Sequence, residues 1–281
     1  MKVSKGQVAV ITGGASGIGF VLARELAQRG LRIMLADVES GALKSAEHQL
    51  VQDGFEVGSE LTDVTDYATS EHLAQATVRR FGGVNILINN AGVGSGLGPI
   101  WASDTRDWNW TFGVNLFGVV HGLQAMVPRM LALGEGHVVN VASLAGLVSV
   151  PFNSAYAASK HAVVALSESL AGEFAALGLP IKVSVVCPGF VATRIFESER
   201  NRPDHLRAAA RTPPELAERL RAAFAERVWN NPMSPTEAAS RIVAGIERDD
   251  FYILTHQEQN AAVLSRLAAV ESAVRSSCPT S

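Results

Sequence analysis

The chain has 281 residues, which against a typical domain of about 150 leaves one or two domains open and excludes a core too small to stand without staples. With 47% hydrophobic and 18% charged residues it is too apolar to be a disordered or solvating segment. A net charge of -3 without long runs of one sign gives no grip on nucleic acid or anionic membrane, and points to a small neutral or modestly charged partner.

In chain order, short β-branched runs alternate with helical patterns: Val8 to Ile11, Ile18 to Arg29, Leu31 to Ala36, Gly41 to Gln52, Val84 to Ile88, Trp108 to Leu133, His137 to Val141, Ala155 to Leu177 and Ile181 to Val186. That rhythm predicts βαβ units, hence an α/β fold with a doubly wound parallel sheet of about seven strands and helices on both faces, a three-layer sandwich. Strands such as Val138 to Val141 are apolar on both faces, as a covered sheet requires. After Pro188 and Gly189 the rhythm breaks, and Phe196 to Pro232 is crowded with arginine, glutamate, proline and alanine. Such a stretch is either a solvated excursion or a mobile cover over a site, and the cover is placed at about 190–232. A helix from Thr236 to Glu247, a strand at Phe251 to Leu254 and an amphipathic segment from Glu258 to Val274 follow. No shift in composition marks a second domain, so residues 1–281 are expected to form one domain ending in a tail at about 256–281. The short Val8 to Ile11 run is no signal peptide, and no later stretch is expected to span a membrane. Cys187 and Cys278 lie far apart, offer neither metal cluster nor disulfide framework, and favour a reducing cytoplasm.

Val8 to Ile11 runs into Thr12-Gly13-Gly14-Ala15-Ser16-Gly17-Ile18-Gly19 and then a helix. Strand, glycine turn and helix make the setting in which backbone amides receive a pyrophosphate, although the spacing is Gly-x-x-x-Gly-x-Gly and a plain βα turn would look similar. Asp37 ends the second strand about 20 residues on, where a carboxylate accepts from ribose hydroxyls and repels a 2′-phosphate. NAD is therefore expected over NADP. Tyr156 and Lys160 stand four apart on one helix face, where an ammonium favours the phenolate and suits the pair to proton transfer at a carbinol or carbonyl oxygen. Ser143 follows a strand at the carboxyl end of the sheet, where ligands of such sheets bind.

Taken in order, the Thr12 to Gly19 turn, Asp37, Asp63-Val64, Asn89-Asn90-Ala91-Gly92, Asn115, Ser143, Tyr156 with Lys160, Pro188-Gly189 and Thr193 resemble the short-chain dehydrogenase/reductase family in its shorter, single-domain branch, with a Rossmann-type sheet. The resemblance implies that Tyr156 is the proton donor and acceptor, Ser143 holds the substrate oxygen, and Lys160 lowers the tyrosine pKa while bonding the nicotinamide ribose. It makes Asn115 the anchor of a water that links Lys160 to solvent. It assigns the cofactor to Gly13, Ser16, Gly17, Ile18, Gly19, Asp37, Asp63, Val64, Asn90, Ala91, Gly92, Tyr156, Lys160, Pro188, Gly189, Val191 and Thr193. Asn85 departs from the pattern, since many relatives carry an aspartate there, and this puts one structural bond in question.

The expected reaction is reversible hydride transfer between NAD(H) and an apolar secondary alcohol or ketone. Val93, Leu144, Leu147, Val150, Phe152, Phe190 and Phe196 are candidates for the substrate wall, with Arg194 the nearest anion contact. An acyl-thioester (3-oxoacyl) reductase shares the catalytic residues but resembles users of NADPH, which Asp37 disfavours, and an NAD-sensing binding protein has no need of Ser143, Tyr156 and Lys160 together. The two long helices carry apolar groups around much of their circumference, and a homodimer or homotetramer built on them is expected.

Overall fold

The computed structural model describes residues 3–207 and 211–277; Cys278 lies outside them. β1 (Val8–Thr12), α1 (Gly17–Gln28), β2 (Arg32–Asp37), α2 (Ser40–Gln52), β3 (Val57–Leu61), α3 (Tyr67–Phe81) and β4 (Ile86–Asn89) form the first half. After them come α4 (Thr105–Phe112), a π turn over Gly113–Phe117, α5 (Gly118–Leu133), β5 (Gly136–Val141), α6 (Ser154–Ala176) and β6 (Ile181–Cys187). Short 3-10 turns at Arg194–Asn201 and Asp204–Leu206, then α7 (Pro214–Trp229), α8 (Pro235–Glu247), β7 (Tyr252–Leu254) and α9 (Asn260–Ser277), complete the described chain.

All seven strands are parallel, in the order β3-β2-β1-β4-β5-β6-β7. Each strand sends alternate side chains to opposite faces. Ile11, Ile33, Ile88, Val139 and Val186 pack under α1, α2 and α8 through Leu22, Leu26, Leu43, Leu50 and Ile242. Val10, Met34, Leu87, Val138 and Val183 pack under α3, α5 and α6 through Leu73, Met126, Met130 and Phe174. Each such side chain removed from water contributes about 1.5–3 kcal/mol, which is why the strands read as unbroken apolar runs.

The rhythm read from the sequence skips from Gln52 to Val84 and so passes over β3 and α3. β3 is an edge strand whose burial fades from Val57 to the exposed Leu61, and its sequence Val-Gly-Ser-Glu-Leu has no apolar alternation to find. Gly58 is needed because the Arg80 side chain lies across it, 2.8 Å from where a Cβ would stand, on its way to donate to the Val57 carbonyl. α3 is capped by Asp66, which accepts from the Ala68 amide, and stops at left-handed Gly82. Asn85 makes its structural bond as an amide, accepting from the Val8 N–H at 2.9 Å and donating to Glu135.

Thr105–Leu133 is one long helix interrupted by the π turn, and by length and composition it could cross a bilayer, contrary to the expectation from the sequence. In the fold its α5 half lies against the sheet and buries Val119, Ala125, Met126 and Met130. The segment at the carboxyl end does form a helix, but no residue of α9 is buried: Leu264, Leu267, Val270 and Val274 all face outward.

Candidate active site

The strand order reverses at β1, between β2 and β4, and there the carboxyl ends of the strands part into a crevice. The glycine turn lies on its floor. Gly13 and Gly17 take the left-handed conformation (φ 61° and 55°), which a side chain would strain. Gly19 is bare for another reason: a Cβ would stand 2.3 Å from the Gly13 carbonyl and 2.5 Å from the Asn90 amide. Asn90 donates to the Thr12 and Gly13 carbonyls, and Thr12 Oγ1 accepts from the Asn90 and Ala91 amides. The Asn89 to Gly92 run therefore staples the turn to β4. One continuous cavity of about 1840 Å³ is lined by Gly13, Ser16, Gly17, Ile18, Asp37, Asp63, Val64, Asn90, Ala91 and Gly92, and runs on past Tyr156 and Lys160 to Pro188, Gly189, Val191 and Thr193.

Asp37 accepts from the Ala15 amide at 3.0 Å and the Glu39 amide at 3.1 Å, so its carboxylate is aimed by the turn it faces. Asp63 accepts from Thr65 ahead of α3, while Val64 is buried against Gly118. Across the mouth, Arg200 and Asn201 both donate to Glu39, and this bond holds the Glu39 carboxyl below the usual range. Segment 194–206 is thus tied to the far end of the crevice. Arg194 is engaged by Glu197 at 2.9 Å.

At the other end of the crevice the Ser143 hydroxyl faces the Tyr156 phenol and favours its ionised form. The Ser143 oxygen accepts from the Ala145 amide, and its hydroxyl donates to the Pro188 carbonyl at 3.4 Å. Lys160 is buried, lies 5.8 Å from the Tyr156 ring centre and donates to the Val141 carbonyl at 2.9 Å. Burial pushes the Lys160 ammonium down to about 8, and pushes the Tyr156 phenol above its ordinary value. Desolvation of the phenolate outweighs the pull of Ser143, and the Lys160 ammonium is itself desolvated.

Asn115 sits within the π turn, fully buried. Its carboxamide accepts from the Val93 amide and spends both N–H groups on the Val93 carbonyl and Ser159. A Cβ on Gly92 would lie 3.4 Å from Lys160 Nζ and 3.5 Å from Asn115 Oδ1, so both groups close over this glycine. With both N–H groups spent, a water meeting this side chain would have to donate to its carboxamide oxygen.

The substrate end of the cavity is lined by Val93, Leu144, Val150, Phe190, Phe196, Arg194, Leu206 and Phe224. Two candidates are corrected. Leu147 turns inward and packs with Val163, Val164 and Val185, and Phe152 takes positive φ at an exposed corner, where its carbonyl accepts from the Gly98 amide. Gly19 and Asn115 stand behind the wall and do not line it.

Several side chains that shape the site escaped the sequence reading. A chain of bonds from Asn89 to Asn140 to Ser167 ties β4 and β5 to α6, the helix that carries Tyr156 and Lys160. The lone asparagine inside Val-Val-Asn-Val was the signal. Asn153, one turn before Tyr156, accepts from Ser95, and Ser198 accepts from the Gly94 amide. Arg202 is buried, bonds Asp107 at 2.7 Å and Glu199 at 2.6 Å, and lies 4.1 Å over the Trp110 ring. It holds segment 194–206 to α4, and nothing in its local sequence separates it from the solvated arginines around it.

The profile of the short chain dehydrogenase family matches residues 7–204. A dehydrogenase/reductase of CLA biosynthesis from Lactiplantibacillus plantarum is 34% identical over 272 residues, which cover 96% of this chain and 95% of that protein. A 3beta-hydroxysteroid dehydrogenase from Eggerthella lenta is 36% identical over 75% of this chain and 80% of its own. Among solved structures, a short-chain dehydrogenase/reductase from Burkholderia phymatum, crystallised in complex with NAD, superposes with a TM-score of 0.91 at 40% identity and covers 100% of this chain and 99% of its own. With the family match, these relatives and the sheet topology in agreement, the chain belongs to the short-chain dehydrogenase family.

Proposed function

We propose that this protein transfers a hydride reversibly between NAD(H) and an apolar secondary alcohol or ketone. One observation carries the reading: Ser143, Tyr156 and Lys160 line the same cavity as the glycine turn and Asp37, so a proton-handling group and a dinucleotide cradle share one crevice. The bare turn, the aimed carboxylate of Asp37 and the strip from Pro188 to Thr193 suit a dinucleotide, which would supply the hydride chemistry at its nicotinamide. Ser143 holds the substrate oxygen, Tyr156 takes its proton during oxidation and returns it during reduction, and Lys160 holds the ribose and favours the phenolate once its charge faces the tyrosine.

NAD is the favoured cofactor, because Asp37 repels a 2′-phosphate and the nearby Arg194 and Arg200 are already engaged by Glu197 and Glu39. The aromatic wall of Phe190, Phe196 and Phe224 and the relative named for a hydroxysteroid support a bulky apolar alcohol. Residues 190–232 serve as the cover of a single domain. Assembly into a homodimer or homotetramer runs through α5 and α6, where Phe117, Leu131, Leu133 and Leu177 stand exposed. A reducing cytoplasm suits both the cofactor and the unpaired Cys187 thiol, which burial pushes up to about 12 and so keeps unreactive.

The test is steady-state oxidation of a panel of secondary alcohols with NAD, repeated with Tyr156→Phe. Turnover should fall by about 10²–10⁴-fold while NADH affinity, read by fluorescence titration, stays within about twofold. Retained turnover in the variant would overturn the assignment of Tyr156.

A further inference from the structure

β6 and β7 are parallel neighbours in register, with Cys187 beside Leu254, so Pro188-Gly189-Phe190 and Thr255-His256 leave the sheet side by side. The Gly189 N–H donates to His256 Nδ1 at 3.0 Å, and His256 Nε2 meets the Phe190 carbonyl at 3.1 Å. A peptide N–H can only donate, so Nδ1 must be unprotonated and the ring proton must sit on Nε2, where it donates to Phe190. Thr255 Oγ1, 2.8 Å from Nδ1, can add a second donor to the same nitrogen. The ring is buried, and both of its nitrogens are used.

This clamp also accounts for Gly189. The residue is not among the left-handed glycines, and the space a side chain would need is filled from within the protein: a Cβ would stand 2.8 Å from His256 Cγ and 2.3 Å from Gln259 Oε1. Glycine is required here by the Gln259 and His256 side chains packed against it. The clamped loop touches the reaction on two sides. Its Pro188 carbonyl receives the Ser143 hydroxyl and the Leu144 amide, and its Phe190 ring packs edge-on against Phe224 of α7.

We infer that His256, which lies outside the catalytic group, is a positioning residue for the reaction: in its neutral, Nε2-protonated form it fixes the Gly189-Phe190 backbone, and through it the partner of Ser143 and the aromatic wall of the substrate cavity. The inference rests on the proposed dehydrogenase reading for its kinetic arm and on the geometry alone for its spectroscopic arm.

In the spectroscopic arm, nitrogen NMR of the full chain should show His256 protonated on Nε2 only, with the Gly189 amide strongly protected from hydrogen exchange. In the kinetic arm, His256→Leu removes both bonds, whereas His256→Asn keeps an acceptor where Nδ1 lies and His256→Gln keeps a donor near Nε2. Relative to the unaltered protein, His256→Leu should lower kcat/KM for the alcohol by about tenfold or more, and NADH affinity, which also draws on the Pro188 to Thr193 strip, should fall by less than that. His256→Asn and His256→Gln should each recover part of that loss, and the Gly189 amide should be protected in His256→Asn and exposed in His256→Leu. If His256→Leu does not fold, the Asn and Gln variants carry the test through the same two measurements. An Nδ1-protonated ring, a freely exchanging Gly189 amide, or folded variants with unaltered kinetics would each overturn the inference. Failure of the unaltered protein to oxidise any alcohol, with ring and amide as expected, would count against the dehydrogenase reading instead and leave the clamp standing.

Discussion

The two ends of the crevice are built by different means. The cofactor end is made from strand termini and backbone: Asn90 is bonded to Thr12 and Gly13, and Asp37 to Ala15, around one turn. The substrate end is made from side chains on long excursions: Phe196, Arg202, Leu206 and Phe224 reach the cavity from segments with no strand beneath them. A backbone site tolerates little change in sequence, whereas a side-chain site can be rebuilt without disturbing the sheet. This is how one fold keeps its cofactor while its substrate varies.

The contrast can be broken at Arg202. Its guanidinium is almost fully buried between Asp107, Glu199 and Trp110, while both carboxylates reach solvent, so its removal costs segment 194–206 its anchor more than it strands a charge. Arg202→Gln should raise the KM for the alcohol by at least about tenfold and leave NADH affinity unchanged. An equal loss of NADH binding would mean that the two ends are not separable.

A second measurement asks whether both ends stand on one base. His137 is buried in β5 with Nε2 against Ser184, and desolvation pushes its pKa down to about 4. The folded form therefore binds fewer protons than the unfolded chain between pH 6.5 and 4. Stability is fully present above about 6.5 and falls as pH drops through that window, by about 3 kcal/mol. Acid unfolding followed by NADH binding and by tryptophan fluorescence should give one coincident transition, and His137→Val should flatten its pH dependence. The smallest effect is expected at Asp37. Asp37→Ser should weaken NAD by about tenfold, roughly 1.4 kcal/mol, and narrow its advantage over NADP in kcat/KM while the alcohol KM holds.

What could be read from the sequence follows the same division. Strands buried on both faces, helices with one apolar stripe such as α1, α2 and α8, and the long α6 with apolar groups around much of its circumference all stand out from the loops, so these elements and β1, β2, β4, β5 and β6 fall within a residue or two of their expected places. The turn and the Tyr156, Lys160 and Ser143 set are legible because their chemistry is tied to local spacing. β3 was missed because an edge strand needs no alternation, and α3 because its buried face sets Leu73 and Phe81 among the small residues Ser70, Ala74, Ala76 and Thr77. The substrate wall was half legible: Phe190 and Phe196 follow a strand closely, but Phe224 and Arg202 reach the cavity only through the tertiary path of the chain. Leu147 and Phe152 were misplaced for the same reason, since a position after a strand does not decide which way a short turn faces.

The tie between Glu39 and the pair Arg200 and Asn201 joins these two ends physically. The stretch proposed to wall the substrate is moored beside Asp37, so on that reading a movement that freed a product would also pull on the rim over the dinucleotide. Both ligands would then answer to one carboxylate, Glu39, which lies with neither reacting atom.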